Sequence, residues 1–215
     1  MIAMDKIKPS RPARRRFDQD AVLQAVTNLF WQHGYEATSM ADVLNATGLT
    51  APSVYAAFGN KETLFRAASD YWTQQYSARI YRFLHDSITL REALERMLLE
   101  AVRIYTSSEH PRGCFLTGAA ANCAAGSSIV EEDLRQRRID AQAGVRRRIE
   151  RGVKGHDLPL GTDAERLARF VMTVLQGLHV QARDGATRAM LEAVVADAMQ
   201  FIPAPDRTTH QTGKA

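Results

Sequence analysis

Long apolar runs are missing from this sequence. No stretch approaches the roughly eighteen residues that a helix needs to span a bilayer. The N-terminal segment MIAMDKIKPSRPARRRF is basic but lacks the apolar core of a signal peptide, and a cytoplasmic location is the expectation. Cysteine is scarce as well. Cys114 and Cys123 are the only two in 215 residues, which argues against a disulfide framework. Neither CxxC nor HExxH occurs, so neither a metal site nor any other cofactor is expected. Strand signals are thin: β-branched residues are scattered, and no alternating apolar run lasts more than a few positions. Internal repeats are absent.

What is present describes an all-α protein. Apolar residues make up 45% and charged residues 24%, the balance of a chain with a real core. Glycine and proline cut the sequence into nine helical blocks. The first runs from Asp18 to His33, with Val22, Ala25, Val26, Leu29 and Phe30 at helical spacing and Gly34 as its stop. Ser39 and Asp42 form a capping box for a short second block that Gly48 ends. Thr50 caps a third, with Pro52 in its first turn, where a missing N–H costs little. Asn60 caps a long fourth block reaching Leu84. Leu90–Tyr105, the small-residue segment CFLTGAAANCAAG, Ser128–Lys154, Asp163–Ala182 and Ala186–Phe201 follow. The seventh block opens on Glu131, Glu132 and Asp133 and closes on Arg146, Arg147, Arg148 and Arg151, an order that suits the helix dipole. That basic end reads as a solvated face. The chain is expected to divide into a flexible basic arm (1–17), a three-helix unit (18–60), a larger helical domain (61–202) and a disordered tail (203–215).

Charge is unevenly placed. The net charge is +4. Lys6, Lys8, Arg11, Arg14, Arg15 and Arg16 face only Asp5 in the arm, and Pro9 and Pro12 keep it out of a helix. Such an arm suits a polyanion, DNA phosphate above all. A solubilising tail has the same composition.

The third block, APSVYAAF, is too short to be stable alone in water. Its lengths and turns, with those of the two blocks before it, match a helix-turn-helix unit, whose second helix enters the major groove of DNA. Small side chains at Ala51, Ala56 and Ala57 permit close approach to base edges. Thr50, Ser53 and Tyr55 offer hydroxyls, and Lys61 adds a cation at the next helix start. Val54 and Phe58 would face inward. A plain helical corner remains the alternative on pattern alone.

The segment FWQHGYEATSMADVLNATGLTAPSVYAAFGNKETLF resembles the N-terminal domain of TetR-family transcriptional regulators, continuously over Asp18 to Phe65. The resemblance implies a homodimer that binds an inverted-repeat operator in double-stranded DNA and usually represses. Matched to the motif, Thr38 and Ser39 would sit near phosphate, Thr50, Ala51, Pro52 and Ser53 near bases, and Tyr55 and Lys61 on phosphate. Many relatives carry a basic residue near Ala51 and Pro52; this sequence does not, which favours van der Waals contact there. The helices Asp163–Ala182 and Ala186–Phe201 would pair with their symmetry mates. A small-molecule effector would enter the helical domain and move the fourth helix. Tyr71, Trp72, Tyr76, Met97, Tyr105, Cys114, Phe115, Met172 and Gln176 are its candidate lining, although each taken singly reads first as plain core. His179 reads as a core or dimer histidine.

Cys114 lies where a helix should begin, near Arg112. That setting is expected to lower a thiol's pKa and open it to oxidation or electrophiles. A small buried residue is the favoured reading. An enzyme using Cys114 with His110 finds no orienting acid or oxyanion arrangement and is set aside. A helix-turn-helix protein without small-molecule control is the remaining alternative.

Overall fold

The structure is a computed structural model and describes residues 18–119 and 128–204. Among the described residues there are nine helices and no strand. They are α1 (Gln19–Ala37), α2 (Met40–Thr47), α3 (Ala51–Phe58), α4 (61–84), α5 (Leu90–Tyr105), α6 (Phe115–Gly118), α7 (Ser128–Lys154), α8 (Ala164–Arg183) and α9 (Arg188–Gln200). The run named α4 is α-helical over Lys61–Trp72, passes through a π turn at Thr73–Ser77, and closes with an α turn at Ala78–Tyr81 and a 3-10 turn at Arg82–Leu84. None of the described helices is long and apolar enough to cross a membrane. The basic arm, Cys123 and nearly all of the tail lie outside the described residues.

Local chemistry sets most helix ends. Asp18 caps α1 by accepting from the N–H groups of Asp20 and Ala21 at 3.0 and 3.2 Å. Regular helix breaks at Gly34, whose φ of +83° and ψ of 170° suit only glycine, and one further turn reaches Ala37. The expected capping box is present: the Asp42 N–H donates to Ser39 Oγ at 3.1 Å, and the Ser39 N–H to Asp42 Oδ2 at 2.8 Å. Asn60 and Thr63 repeat the device on α4. Thr50 departs from expectation. It occupies the cap position of α3, but its hydroxyl makes no cap bond and instead shares a hydrogen bond with Ser53 Oγ at 2.9 Å.

Two cores meet along α4. On one side, Val22, Val26, Phe30 and Trp31 of α1 pack against Leu64, Phe65, Ala68 and Trp72. Phe30 and Phe65 meet edge to face at 5.0 Å, as do Trp31 and Trp72 at 5.9 Å. Each such buried side chain contributes about 1.5–3 kcal/mol, and this anchors the short α2 and α3, which are marginal alone. On the other side α5 runs through the middle of the larger bundle, burying Leu90, Leu94, Met97 and Leu98 against α8 and α9. The start of α5 is tied to the end of α7: the Leu90 N–H donates to Asp157 at 2.9 Å, and Arg148 donates to the Ile88 carbonyl at 2.6 Å.

Candidate functional site

The first candidate surface is the outer face of α3. Val43 and Val54 are fully buried, and half-buried Phe58 packs beside them. Gly48, at φ +65°, reverses the chain between α2 and α3. With the apolar side turned in, Pro52, Tyr55, Ala56 and Ala57 are left exposed; Tyr55 keeps 49% of its surface. Ala51 and Ser53 are half-buried at its edge, and Thr50 is exposed. The face is smooth and uncharged.

The flanking residues divide. Lys61 is held by its neighbours: its ammonium lies 4.4 Å over the Tyr35 ring and 3.4 Å from the Glu36 carbonyl. Ser39 is exposed, but both its hydroxyl and its N–H engage Asp42, whose carboxyl is held below its ordinary value by those bonds. Thr38 is buried at 1% exposure, and its hydroxyl donates to the Gly34 carbonyl at 2.7 Å. It shapes the turn into α2 and presents no hydroxyl on the surface.

The second candidate is a cavity of about 360 Å³ enclosed by α4, α5, α6, α7 and α8. Trp72, Tyr105, Cys114, Met172 and Gln176 line it as the sequence suggests. Tyr71, Tyr76, Met97 and Phe115 do not. Met97 is fully buried within α5. Phe115 stacks on Phe65 at 5.3 Å and on Trp72 at 6.3 Å. Tyr76 turns toward Trp31 and His110, at 5.3 and 4.9 Å. Tyr71 sits by the acids at the start of α1: burial, then Asp20 and Asp18, push its hydroxyl pKa up. Along α4 the residues that line the cavity are Trp72, Thr73, Ser77, Ile80, Tyr81 and Leu84, while Tyr71 and Tyr76 pack elsewhere.

Sequence reasoning also missed one wall. Arg137, Arg138, Arg147 and Arg151 of α7 line the cavity with Asp140, Ala141 and Gly144. The basic stretch of α7 is therefore more than a solvated face, and Arg148 in its middle is buried at 5% exposure. The spacing of these residues along α7 was the available signal, but nothing local told which neighbour that stripe would meet.

Cys114 follows the favoured reading of a small buried residue rather than that of an activated thiol. Its N–H donates to His179 Nδ1 at 2.7 Å. Arg112 does not serve the thiol; its Nε and Nη2 donate to the Ala182 and Ala186 carbonyls at 2.7 and 2.5 Å. Burial pushes the Cys114 thiol pKa up, and hydrogen bonds from Thr117 and Tyr105 offset only part of that. His110 is not its base: that ring stacks on Trp31 at 4.6 Å. His179 is a core histidine, 4% exposed, with its pKa pulled down to about 4 by burial and then by Arg183. Accepting at Nδ1, the neutral ring carries its proton on Nε2. A Cβ on Gly113 would stand 2.5 Å from that Nδ1, and one on Gly118 would stand 2.8 Å from Arg183, so only glycine lets α6 lie this close to α8.

The two candidates are joined. The Ala119 carbonyl at the end of α6 accepts from the Tyr35 N–H at 2.7 Å. Thus a segment whose Cys114, Leu116 and Thr117 face the cavity is bonded to the turn that enters α2. Farther away, Val180 on α8 and Met190, Val194 and Phe201 on or beside α9 are exposed. Among the described residues, no cluster of His, Cys, Asp or Glu side chains could hold a metal ion.

Comparisons with known proteins agree with this geometry. Residues 22–68 match the family model described as bacterial regulatory proteins, tetR family, and residues 91–201 match the tetracyclin repressor-like C-terminal domain. The HTH-type transcriptional repressor ComR of Escherichia coli (strain K12) is 33% identical over 92% of this chain and 94% of its own. BdcR, another HTH-type transcriptional repressor of the same organism, is 30% identical over 90% and 92%. Among solved structures, a cysteine mutant of the TetR family transcriptional regulator CifR, complexed with a 26-base-pair operator DNA, superimposes with a TM-score of 0.86 at 39% identity, covering 89% of this chain and all of that one.

Proposed function

This chain belongs to the TetR family of bacterial regulatory proteins and is a helix-turn-helix, DNA-binding transcriptional regulator; from that premise we propose that it acts as a homodimeric repressor, released from an inverted-repeat operator by an effector in the helical domain. Residues 18–60 form the DNA-binding unit and 61–202 the effector and dimerisation domain. The smooth face of α3 enters the major groove, where Ala51, Pro52 and Ser53 meet bases by van der Waals contact. Thr50 lies beside them near the bases, Tyr55 and Lys61 contact phosphate with Ser39 and the backbone at Thr38 nearby, and the basic arm adds charge. Exposed Val180, Met190, Val194 and Phe201 support pairing through α8 and α9, which would set two α3 helices roughly 34–36 Å apart or at a longer groove-matched spacing. Operator DNA places the work in the cytoplasm.

The observation that carries the effector reading is the bond between Tyr35 and Ala119. It gives the cavity a direct mechanical link to the DNA-binding unit. A ligand that prefers one arrangement of α6 shifts the α3 spacing by its difference in affinity for the two states. Cys114 faces the same cavity, so a thiol-reactive effector would act at the same place; its raised pKa favours a reversible ligand. Fluorescence anisotropy tests the proposal, with a labelled duplex from upstream of the protein's own gene, at two salt concentrations. Binding that weakens steeply with salt is expected; salt-independent binding would exclude phosphate anchoring. Binding that no small molecule or oxidant relieves would favour a regulator without such control.

A further inference from the structure

The cavity has two unlike walls. Trp72, Ile80, Leu84, Leu116, Met172 and Leu175, from three helices, make one of them apolar. The other comes from α7 alone, and its charged members are Arg137, Arg138, Arg147, Arg151 and Asp140. His85, at the end of α4, also lines the space.

The arginines are not equivalent. Arg137 is neutralised: it reaches Asp70 at 2.7 Å and Asp133 at 2.8 Å, and so clamps α4 to α7. Arg138 donates to the Leu116 carbonyl at 2.8 Å, and Arg151 donates to the Leu84 carbonyl. A carbonyl accepts a hydrogen bond but leaves the positive charge uncancelled, and no acid pairs with either arginine among the described ion pairs. Arg147 has no hydrogen-bond or ion-pair partner among the described residues. Its Nη2 lies 3.8 Å from the position a Gly144 side chain would occupy, so its guanidinium folds back over the small-residue stretch of the wall. Asp140 is the single acid of the lining, and it accepts from Gln136 at 2.9 Å. The helical wall thus carries an excess of positive charge opposite an apolar pocket, with Arg138 half-buried and Arg147 and Arg151 exposed to solvent.

Resting on the reading of the cavity as an effector site, we infer that it takes an amphipathic organic anion: an apolar aliphatic or aromatic body against Trp72, Leu116 and Met172, and one carboxylate or similar oxyanion end between Arg138, Arg147 and Arg151. Bidentate pairing of a planar oxyanion with a guanidinium supplies the orientation. A neutral molecule of the same shape keeps the apolar contacts and loses that pairing. An ammonium end meets like charge.

The test uses the full chain without DNA and follows the fluorescence of its two tryptophans, of which Trp72 lines the cavity. The probes are carboxylates of about six to twelve carbons, sizes suited to a pocket at the small end of the ligand-site range. Phenylbutanoate is the aromatic member, compared with phenylbutanamide and phenylbutylamine. The carboxylate should bind at least tenfold more tightly than its amide, about 1.4 kcal/mol, and the amine should not bind. Arg147→Gln should reduce that preference severalfold with an unchanged melting temperature, since the residue has no partner to lose. Arg135→Gln, on the same helix but paired with Glu132 and outside the cavity, should leave it intact. Equal binding of acid and amide, tighter binding of the amine, no binding by any carboxylate at millimolar concentration, or indifference to Arg147→Gln would each overturn the assignment. Operator binding without ligand is measured separately, so failure of the DNA-binding reading shows up in a different experiment.

Discussion

The Tyr35 N–H donates to the carbonyl of Ala119 at 2.7 Å across the junction between the two parts of the molecule. Gly34, just before it, would place a Cβ 3.3 Å from the same oxygen and holds a φ of +83° with ψ at 170°. Side-chain-bearing residues occupy that region only under strain of about 1–3 kcal/mol. Gly34→Ala is therefore expected to lower stability by about that amount in urea unfolding, and to weaken effector-driven release from DNA. Unchanged unfolding would mean that the close approach of α6 to this turn is not maintained in solution.

Tyr55 is exposed and the Lys61 ammonium lies over the Tyr35 ring, and both are proposed to contact phosphate. Tyr55→Phe should cost about 0.5–1.5 kcal/mol of binding on every operator variant alike. Lys61→Ala should also reduce the dependence of log affinity on log salt by about one contact. Loss confined to particular base pairs would assign these residues to sequence reading instead.

His179 makes stability depend on pH. Its pKa falls from 6.5 to about 4 on folding, so between those values the unfolded chain binds the extra proton. The neutral ring's contribution is complete above about pH 6.5 and is lost as the pH drops toward 4, on the order of 2–3 kcal/mol. Half-buried His110 shifts in the same direction. Denaturant melts from pH 7 to 4.5 should show this decline, and His179→Leu should flatten it in part while lowering stability at pH 7, because the Cys114 N–H loses its partner. A slope untouched by the substitution would mean the ring titrates normally.

Cys114 is buried, with its thiol pKa raised. In a Cys123→Ser background at neutral pH, iodoacetamide should alkylate the folded protein at least tenfold more slowly than the unfolded chain. Faster labelling in the folded state would revive the activated thiolate.

Met190, Val194 and Phe201 share one side of α9, spaced four and seven residues apart, and are 60%, 46% and 73% exposed. Met190→Asp combined with Val194→Asp should yield a folded monomer by sedimentation velocity, with helical content retained and operator affinity lost. A dimer that survives both charges would move the interface elsewhere.

Much of this fold is legible residue by residue. Ser39 with Asp42, Asn60 with Thr63, and the glycines at 34 and 48 mark helix ends because capping and left-handed turns are decided within a few residues of chain. The exposed side of α3 is legible for the same reason, since Val54 must turn in and Tyr55 then turns out. The burial of the Thr38 side chain is not legible locally, because it depends on how α1 ends.

By itself the sequence determined the helices, their order and the residues that α3 exposes, all matters of short-range hydrogen bonding and apolar spacing. Only the tertiary structure decided what lines the cavity. Periodicity marks which residues of α4 are apolar but not which neighbour each one meets, so Tyr76 packs on Trp31 and His110 while Tyr81 reaches the cavity. Arg138, Arg147 and Arg151 form a wall because α7 packs beside α6 and α8, a neighbour relation between segments far apart in the chain that periodicity does not encode.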